Sequence, residues 1–378
     1  MIITKESAPH IRRKPTVSRM MIDVLIALAP TLIFALIIYP IQGSINLLIS
    51  LVIMIGAELV YIGLRNMMPK DGLKHSFKEK FLYAYKGKVD KNNILTPAIS
   101  AVIFTLIMPP TAPVYAIIVG ALVGIIFGKL VFGGLGSNIF NPAAVGMVFA
   151  KLCFSTQYST FVDLKEQSIV STWFYDASAG ATPLEAINHG NYANLGNYSL
   201  TSMLFGQIPG TLGEVFKLTI IVGLIYSLIR RSIDWRIVVS YLGTFAGLML
   251  IAGLSVHALN SAINPFIFMT YNLLGGAVLF GAVFMLTDPV TSPINSPSRV
   301  MYGIIAAILT VFIRLFAALP EGVGFSILLA NMVAVFLDHY EWSSAKYTWK
   351  KILAIVLLVV IPALVTFLII RFGGVYNG

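Results

Sequence analysis

The sequence predicts an all-α, polytopic membrane protein with about 10 to 11 transmembrane helices. Three observations carry this. The 378 residues are 57% apolar and only 11% charged, where soluble domains carry roughly 25% charged residues. Apolar runs repeatedly approach or exceed the roughly 17 to 25 residues that cross a bilayer as helix. Strand-like alternation is absent, and backbone groups in lipid must be satisfied inside helices or a closed barrel.

Taken in order, the predicted spans are 21–39, 44–64, 94–108, 113–130, 139–154, 213–229, 237–254, 266–287, 300–318, 322–337 and 351–371. The third, fifth and tenth are short for a crossing, which predicts that one or more of them are half-helices that enter and stop. The first run begins near Met21 and passes signal-peptide length without a clear small-residue cleavage site, so it reads as a retained helix.

Charge sets the expected orientation. Lys5, Arg12, Arg13, Lys14 and Arg19 precede the first span, and a basic stretch from Arg65 to Lys91 follows the second. These read as cytoplasmic under the positive-inside rule. Between Ser155 and Gly210 the only basic residue is Lys165, against Asp163, Glu166, Asp176 and Glu185, so this loop reads as extracytoplasmic. The turn "RRSIDWR" brings the chain back to the cytoplasm. The net charge of +10 therefore describes loops and their contact with anionic lipid, not a nucleic-acid partner.

An internal echo suggests duplication. "AVIFTLIMPPTAP", ending at Pro113, matches "GAVFMLTDPVTSP", ending at Pro293, at Phe104/Phe284, Leu106/Leu286, Pro109/Pro289, Thr111/Thr291 and Pro113/Pro293. Five spans separate the starts of the two copies, an odd number, so the copies run in opposite directions. That predicts an inverted repeat with interrupted helices meeting at a polar site. The expected organisation is a cytoplasmic segment 1–20, a first membrane repeat 21–154 and an extracytoplasmic loop 155–210. A second membrane repeat 211–337 and a C-terminal loop and helix 338–378 follow.

Three motifs stand out. "GGLGSNIFNPAAVG", residues 133 to 146, is rich in Gly and Asn at the entrance to an apolar run. It suits a tight helix contact and a ligand-facing helix start equally well. "MLTDPVTSPINSPSR" places Asp288 and three prolines at the end of a span. An ionisable residue at membrane depth is a candidate for an ion path, and at the cytoplasmic edge it is an ordinary loop acid. "DASAGATPLEAINHG", residues 176 to 190, carries Thr182, Pro183 and Glu185, a hydroxyl cap, a first-turn proline and a capping-box acid. On the residues alone Thr182 reads as a cap.

The five His show no metal-ligand spacing, and lone Cys153 excludes an internal disulfide or a cysteine-only cluster within this chain. Triad, P-loop and dinucleotide fingerprints are absent, so the chain reads as no self-contained enzyme.

The chain resembles the NqrB/RnfD family, membrane components of the Rnf and Nqr ion-translocating electron-transfer complexes. The resemblance rests on the basic N-terminus, "SNIFNPAAVG", "DASAGAT" and "TDPVTSP" in that order, over nearly the whole length, with the short N-terminal extension favouring the Rnf side. It implies a urea-transporter-like fold and covalent FMN on the Thr182 phosphoryl ester, attached by a separate flavin transferase. Asp176, Gly180 and Ala181 are the other matching motif positions, and a second, non-covalent flavin (riboflavin) is implied without residues to hold it. One departure is Ala179, where the family usually has Ser or Thr. Electrons would pass through the flavin between neighbouring subunits of a ferredoxin:NAD+ oxidoreductase in the bacterial inner membrane, coupled to Na+ or H+ movement. The rivals are the NqrB component of a sodium-translocating NADH:quinone reductase, a flavin-free transporter or channel, and a structural scaffold.

Overall fold

The computed structural model describes residues 17–67, 80, 83–86, 89–155, 161–162, 179–180, 182–186, 199–261, 263–317, 321–339 and 346–372. Helices stand at each predicted span. They are α1 (Val17–Ile38), α2 (Pro40–Asn66), α3 (Asn92–Ile107), α4 (Val114–Ile125, continued as a π-turn over Ile126–Leu130) and α5 (Pro142–Cys153). In the 155–210 loop lie β1 (Phe161–Val162), β2 (Ala179–Gly180), α6 (Pro183–Ala186) and α7 (Leu200–Phe205). The second half holds α8 (Lys217–Arg230), α9 (Trp235–His257), α10 (Pro265–Leu274) and α11 (Val278–Phe280, continued as a π-turn over Gly281–Met285). It ends with α12 (Ser296–Phe316), α13 (Val323–Leu337) and α14 (Trp349–Phe372).

Among the described residues five helices, α1, α2, α9, α12 and α14, are long and apolar enough to cross a membrane alone, and α10 with α11 makes a sixth bent by 62°. The short spans are short helices: α3 has 16 residues, α5 has 12 and α13 has 15. The span read as 266–287 is broken at Gly275 and Gly276, where Gly276 takes φ +67. A side chain there would be strained, so the sequence offers a natural break. The span read from residue 213 begins only at Lys217, because the Gly213 N–H is bonded at 2.6 Å to the Leu106 carbonyl at the end of α3.

Helix starts follow local chemistry. The Asn141 side chain accepts from the N–H groups of Ala143 and Ala144 with Pro142 at the first position of α5. Asn264 and Pro265 repeat the device at α10, and Asp234 caps α9.

The two halves share one packing pattern. α2 packs on α3 and α4, and α4 packs on α5. In the second half α9 packs on α10 and α12, and α12 packs on α13. The halves meet where α1 lies on α8 and α5 on α13. Asp23 of α1 also pairs with Arg230 of α8 at 3.0 Å.

The α4–α5 contact is made backbone to backbone. A Cβ on Gly124 would stand 2.6 Å from the Pro142 carbonyl oxygen, and one on Gly128 would stand 2.6 Å from Pro142 Cα. With Gly120 these form a small residue every fourth position, the pattern that lets membrane helices touch through backbone. Gly124→Ala is expected to destabilise the protein by about 1–3 kcal/mol, the usual cost of overpacking. Thermal unfolding in detergent checks this; an unchanged midpoint would mean that the helices separate freely.

Candidate functional site

Two buried polar centres flank α11. The first gathers at the C-terminal end of its π-turn. Lys129 projects from the π-turn that ends α4, a local widening that often accompanies functional sites. Its ammonium lies 3.0 Å from the Glu58 carboxylate of α2, both side chains being only 3% exposed. It also donates to the Thr96 hydroxyl of α3 at 2.8 Å, and that hydroxyl donates to the Asn92 carbonyl. A cavity beside this pair is lined by Lys129, Thr96, Ser100, Asn138, Asn141 and Asp288, among others.

Asp288 sits in the turn after the π-segment and accepts from the Val290 N–H at 3.2 Å and the Thr291 hydroxyl at 3.3 Å. Burial pushes its carboxyl above the usual carboxylate range; the Val290 N–H, the Thr291 hydroxyl and the Lys129 ammonium oppose that shift. Asp288 thus belongs to a built polar cavity, together with both asparagines of "SNIFNP".

Asn141 knots this centre. Besides capping α5, its Nδ2 donates to the Met285 carbonyl at 3.3 Å, and its backbone N–H donates to Asn331 Oδ1 of α13 at 3.2 Å. Asn331 in turn donates to the Tyr302 hydroxyl. In "GGLGSNIFNPAAVG" Gly146 and Pro142 make the tight helix contact, and Asn138 and Asn141 line the cavity. Asn141→Ala removes a cap and a buried interhelical bond, with an expected loss of about 1–3 kcal/mol. Chemical denaturation of the purified protein reads this; a loss below a few tenths would show that the cap is redundant.

The second centre surrounds the break between α10 and α11. Lys217 donates to the Gly276 carbonyl at 3.0 Å, while Arg314 of α12 donates to the Asn272 carbonyl at 2.6 Å and lies 3.4 Å from that of Gly275. The Ala277 N–H donates to Glu321 at 2.6 Å, and Glu214 accepts from Thr211 at 3.0 Å. Carbonyls and an N–H released by the broken helix are thus taken up by charged side chains, as buried backbone groups require.

The Thr182 motif is seated on this break. Leu184 is buried among Met203, Ile208, Tyr271 and Leu274. Its methyls reach so close to Gly275 and Gly276 that a Cβ on either would meet them at 2.9 and 2.7 Å. Pro183 is buried, Thr182 half-buried, and Gly180 pairs with Phe161 in the short antiparallel ladder. The expected helix start is present as the four-residue α6. Asp176 and Ala181 lie outside the described residues.

Sequence reasoning passed over Glu58, Lys129, Lys217 and Arg314. A signal existed: each is an ionisable residue inside a predominantly apolar run.

The sequence profile of the NQR2, RnfD, RnfE family matches residues 4–348. The chain is similar to the B-type subunit of the Na(+)-translocating NADH-quinone reductase of Chromohalobacter salexigens, 36% identical over 247 residues, 64% of this chain and 57% of that protein. It is similar to the D-type subunit of the proton-translocating ferredoxin:NAD(+) oxidoreductase complex of Clostridium ljungdahlii, 27% identical over 345 residues, 90% and 94% of the two chains. The D-type subunit of the ion-translocating oxidoreductase complex of Alcanivorax borkumensis matches at 33% over 256 residues, 64% and 72%. The match thus spans little more than half the length of the NADH-quinone reductase relative and nearly all of the Clostridium protein.

Proposed function

The chain belongs to the NQR2, RnfD, RnfE family, and from that premise we propose that it is a membrane subunit of an ion-translocating oxidoreductase complex of the Rnf type. The near-complete overlap with the Clostridium ferredoxin:NAD(+) oxidoreductase protein supports Rnf over Nqr. In this reading the chain acts with other subunits in the bacterial inner membrane, its N-terminus cytoplasmic and its 155–210 loop outside. The two halves run in opposite directions, a reading supported by their shared packing pattern and by the α10–α11 break.

The observation that carries the redox part is the seating of Thr182. A hydroxyl can anchor a prosthetic group in fixed geometry only if its backbone is fixed, and Leu184, two residues on, is 4% exposed against the α10–α11 break. Half-buried Thr182 keeps one side open, so the residues present fit an FMN phosphodiester. Asp176, Gly180 and Ala181 would complete the recognition sequence for the flavin transferase. Bound FMN supplies one- and two-electron carrier chemistry at this face. Lys217, Arg314 and Glu321 hold the backbone groups of the break on which Leu184 rests, and so fix the segment that carries Thr182.

The cavity around Lys129, Asn138, Asn141 and Asp288 is the second polar station. It offers amide, ammonium and carboxylate groups for a non-covalent flavin or for the coupling ion, Na+ or H+. A flavin-free transporter is the second reading, favoured by the broken helix beside buried charge. The two separate on one measurement. Purified protein, co-expressed with a flavin transferase and denatured, shows ultraviolet-excited fluorescence in the gel if FMN is covalent and none if the transporter reading holds. Ion uptake by vesicles supplied with each cation alone identifies the coupling ion.

A further inference from the structure

The polarity of α2 runs the opposite way from that of a helix in a water-soluble protein. Its outer face, Ile41, Ile45, Leu48, Val52, Val60 and Leu64, is exposed and apolar, as lipid requires. Its inner face reads Gln42, Asn46, Ser50, Met54, Glu58 at every fourth residue, one line along a helix. From Gln42 to Glu58 this line covers about 24 Å at 1.5 Å per residue, most of a bilayer core.

Glu58 is paired with Lys129, but the polar groups before Met54 find no hydrogen-bond partner among the described residues. The Gln42 and Asn46 amide nitrogens and the Ser50 hydroxyl are buried without a hydrogen bond among the described residues, and so is the Thr31 hydroxyl of α1. Asn46 is 2% exposed, Ser50 0% and Thr31 3%. α1 and α2 are each long enough to span and are joined at Tyr39 alone, so they cross in opposite directions. Counted from that joint, Thr31 lies about 12 Å deep, between Asn46 at about 10 Å and Ser50 at about 16 Å.

Other buried hydroxyls provide an internal contrast. Thr96, Thr105, Ser255, Thr287 and Thr310 each donate to the carbonyl four residues earlier on their own helix. Thr31 and Ser50 leave that bond unmade. Buried polar groups without protein partners at membrane depth are satisfied by water or a ligand, since leaving them bare costs about 1–3 kcal/mol each.

We propose that the buried face of α2, with Thr31, lines a water-filled half-channel that opens at the α1–α2 joint and stops at Met54. Met54 is the one apolar member of the line and is fully buried. Beyond it stand the Glu58–Lys129 pair and the cavity that reaches Asp288. A file of water that ends on one flexible thioether above a buried ion pair forms a gated entry for a proton or a small hydrated cation. This inference deepens the ion-translocating reading and is independent of any flavin.

Cysteine accessibility tests it in membranes containing the complex with its partner subunits. In a Cys153→Ala background, Asn46→Cys, Ser50→Cys and the control Leu28→Cys are treated with a small methanethiosulfonate ammonium reagent. Leu28 is equally buried and about as deep as Ser50, but it lies in the apolar core. The expected result is modification of positions 46 and 50 from the face bearing the α1–α2 joint, more than about tenfold faster than at 28, where reaction awaits local opening. Equal rates at 28, 46 and 50 would overturn the half-channel. If Asn46→Cys fails to assemble, the near-isosteric Ser50→Cys decides alone.

Discussion

Replacing Thr182 with alanine is expected to abolish the proposed covalent flavin while leaving the membrane body folded. The substitution deletes only the hydroxyl and one methyl of a half-buried residue, and the segment stays anchored by Leu184 in its pocket of Met203, Ile208, Tyr271 and Leu274. Loss of a capping hydroxyl costs about 1 kcal/mol, too little to unfold a multi-helix body. The fluorescence of the denatured band is therefore expected to fall to background in Thr182→Ala with unchanged yield and melting. Leu184→Ala gives the complementary case: the hydroxyl remains, but a buried side chain is lost at about 2–5 kcal/mol. Flavin fluorescence that persists in Thr182→Ala rules out this acceptor, whatever the fate of the complex.

The largest effect on stability is expected at Lys129. Its ammonium is 3% exposed and is the salt-bridge partner of Glu58, which is equally buried. Lys129→Met leaves that carboxylate buried without a cation, which costs roughly 3–5 kcal/mol. Thr96 loses a donor but keeps its own bond to the Asn92 carbonyl, so the damage centres on Glu58. The double variant Lys129→Met with Glu58→Gln removes both charges and is expected to recover most of the loss. Unfolding free energies of the parent protein, Lys129→Met, Glu58→Gln and the double variant in detergent give the coupling directly. A single variant as stable as the double would show that the pair is already screened by water.

Much of the architecture was legible in the chain. Helix positions follow from apolar runs, and starts at Pro142 and Pro265 follow from Asn-Pro dipeptides whose capping is a matter of three residues. The short spans also declared themselves by length. The break in the eighth span was written as "GG", but a Gly pair in an apolar run does not reveal a 62° bend, which depends on Lys217, Arg314 and Glu321 taking up the released backbone groups.

The candidate sites divide in the same way. Thr182 and Asp288 stood out in the sequence because each lies in a short ordered motif. Glu58 and Lys129 were visible only as ionisable residues in apolar runs. Their pairing depends on α2 and α4 packing together and on a π-turn that turns Lys129 inward, and neither is encoded within a window of a few residues. Leu184 looked like any helix-start leucine, and its role as the anchor of Thr182 comes from α10 and α11.

By itself the sequence determined that the chain lives in a membrane, where its helices lie, and which hydroxyl stands in a motif that resembles a flavin-attachment sequence, because hydropathy, capping and motif order are local properties. Only the tertiary structure decided which buried charges neutralise each other, which helix break supports Thr182, and that one face of α2 is lined with unpartnered polar groups. These depend on contacts between segments far apart in the chain, and in a low-dielectric interior the energy of a polar group is set by its neighbours in space.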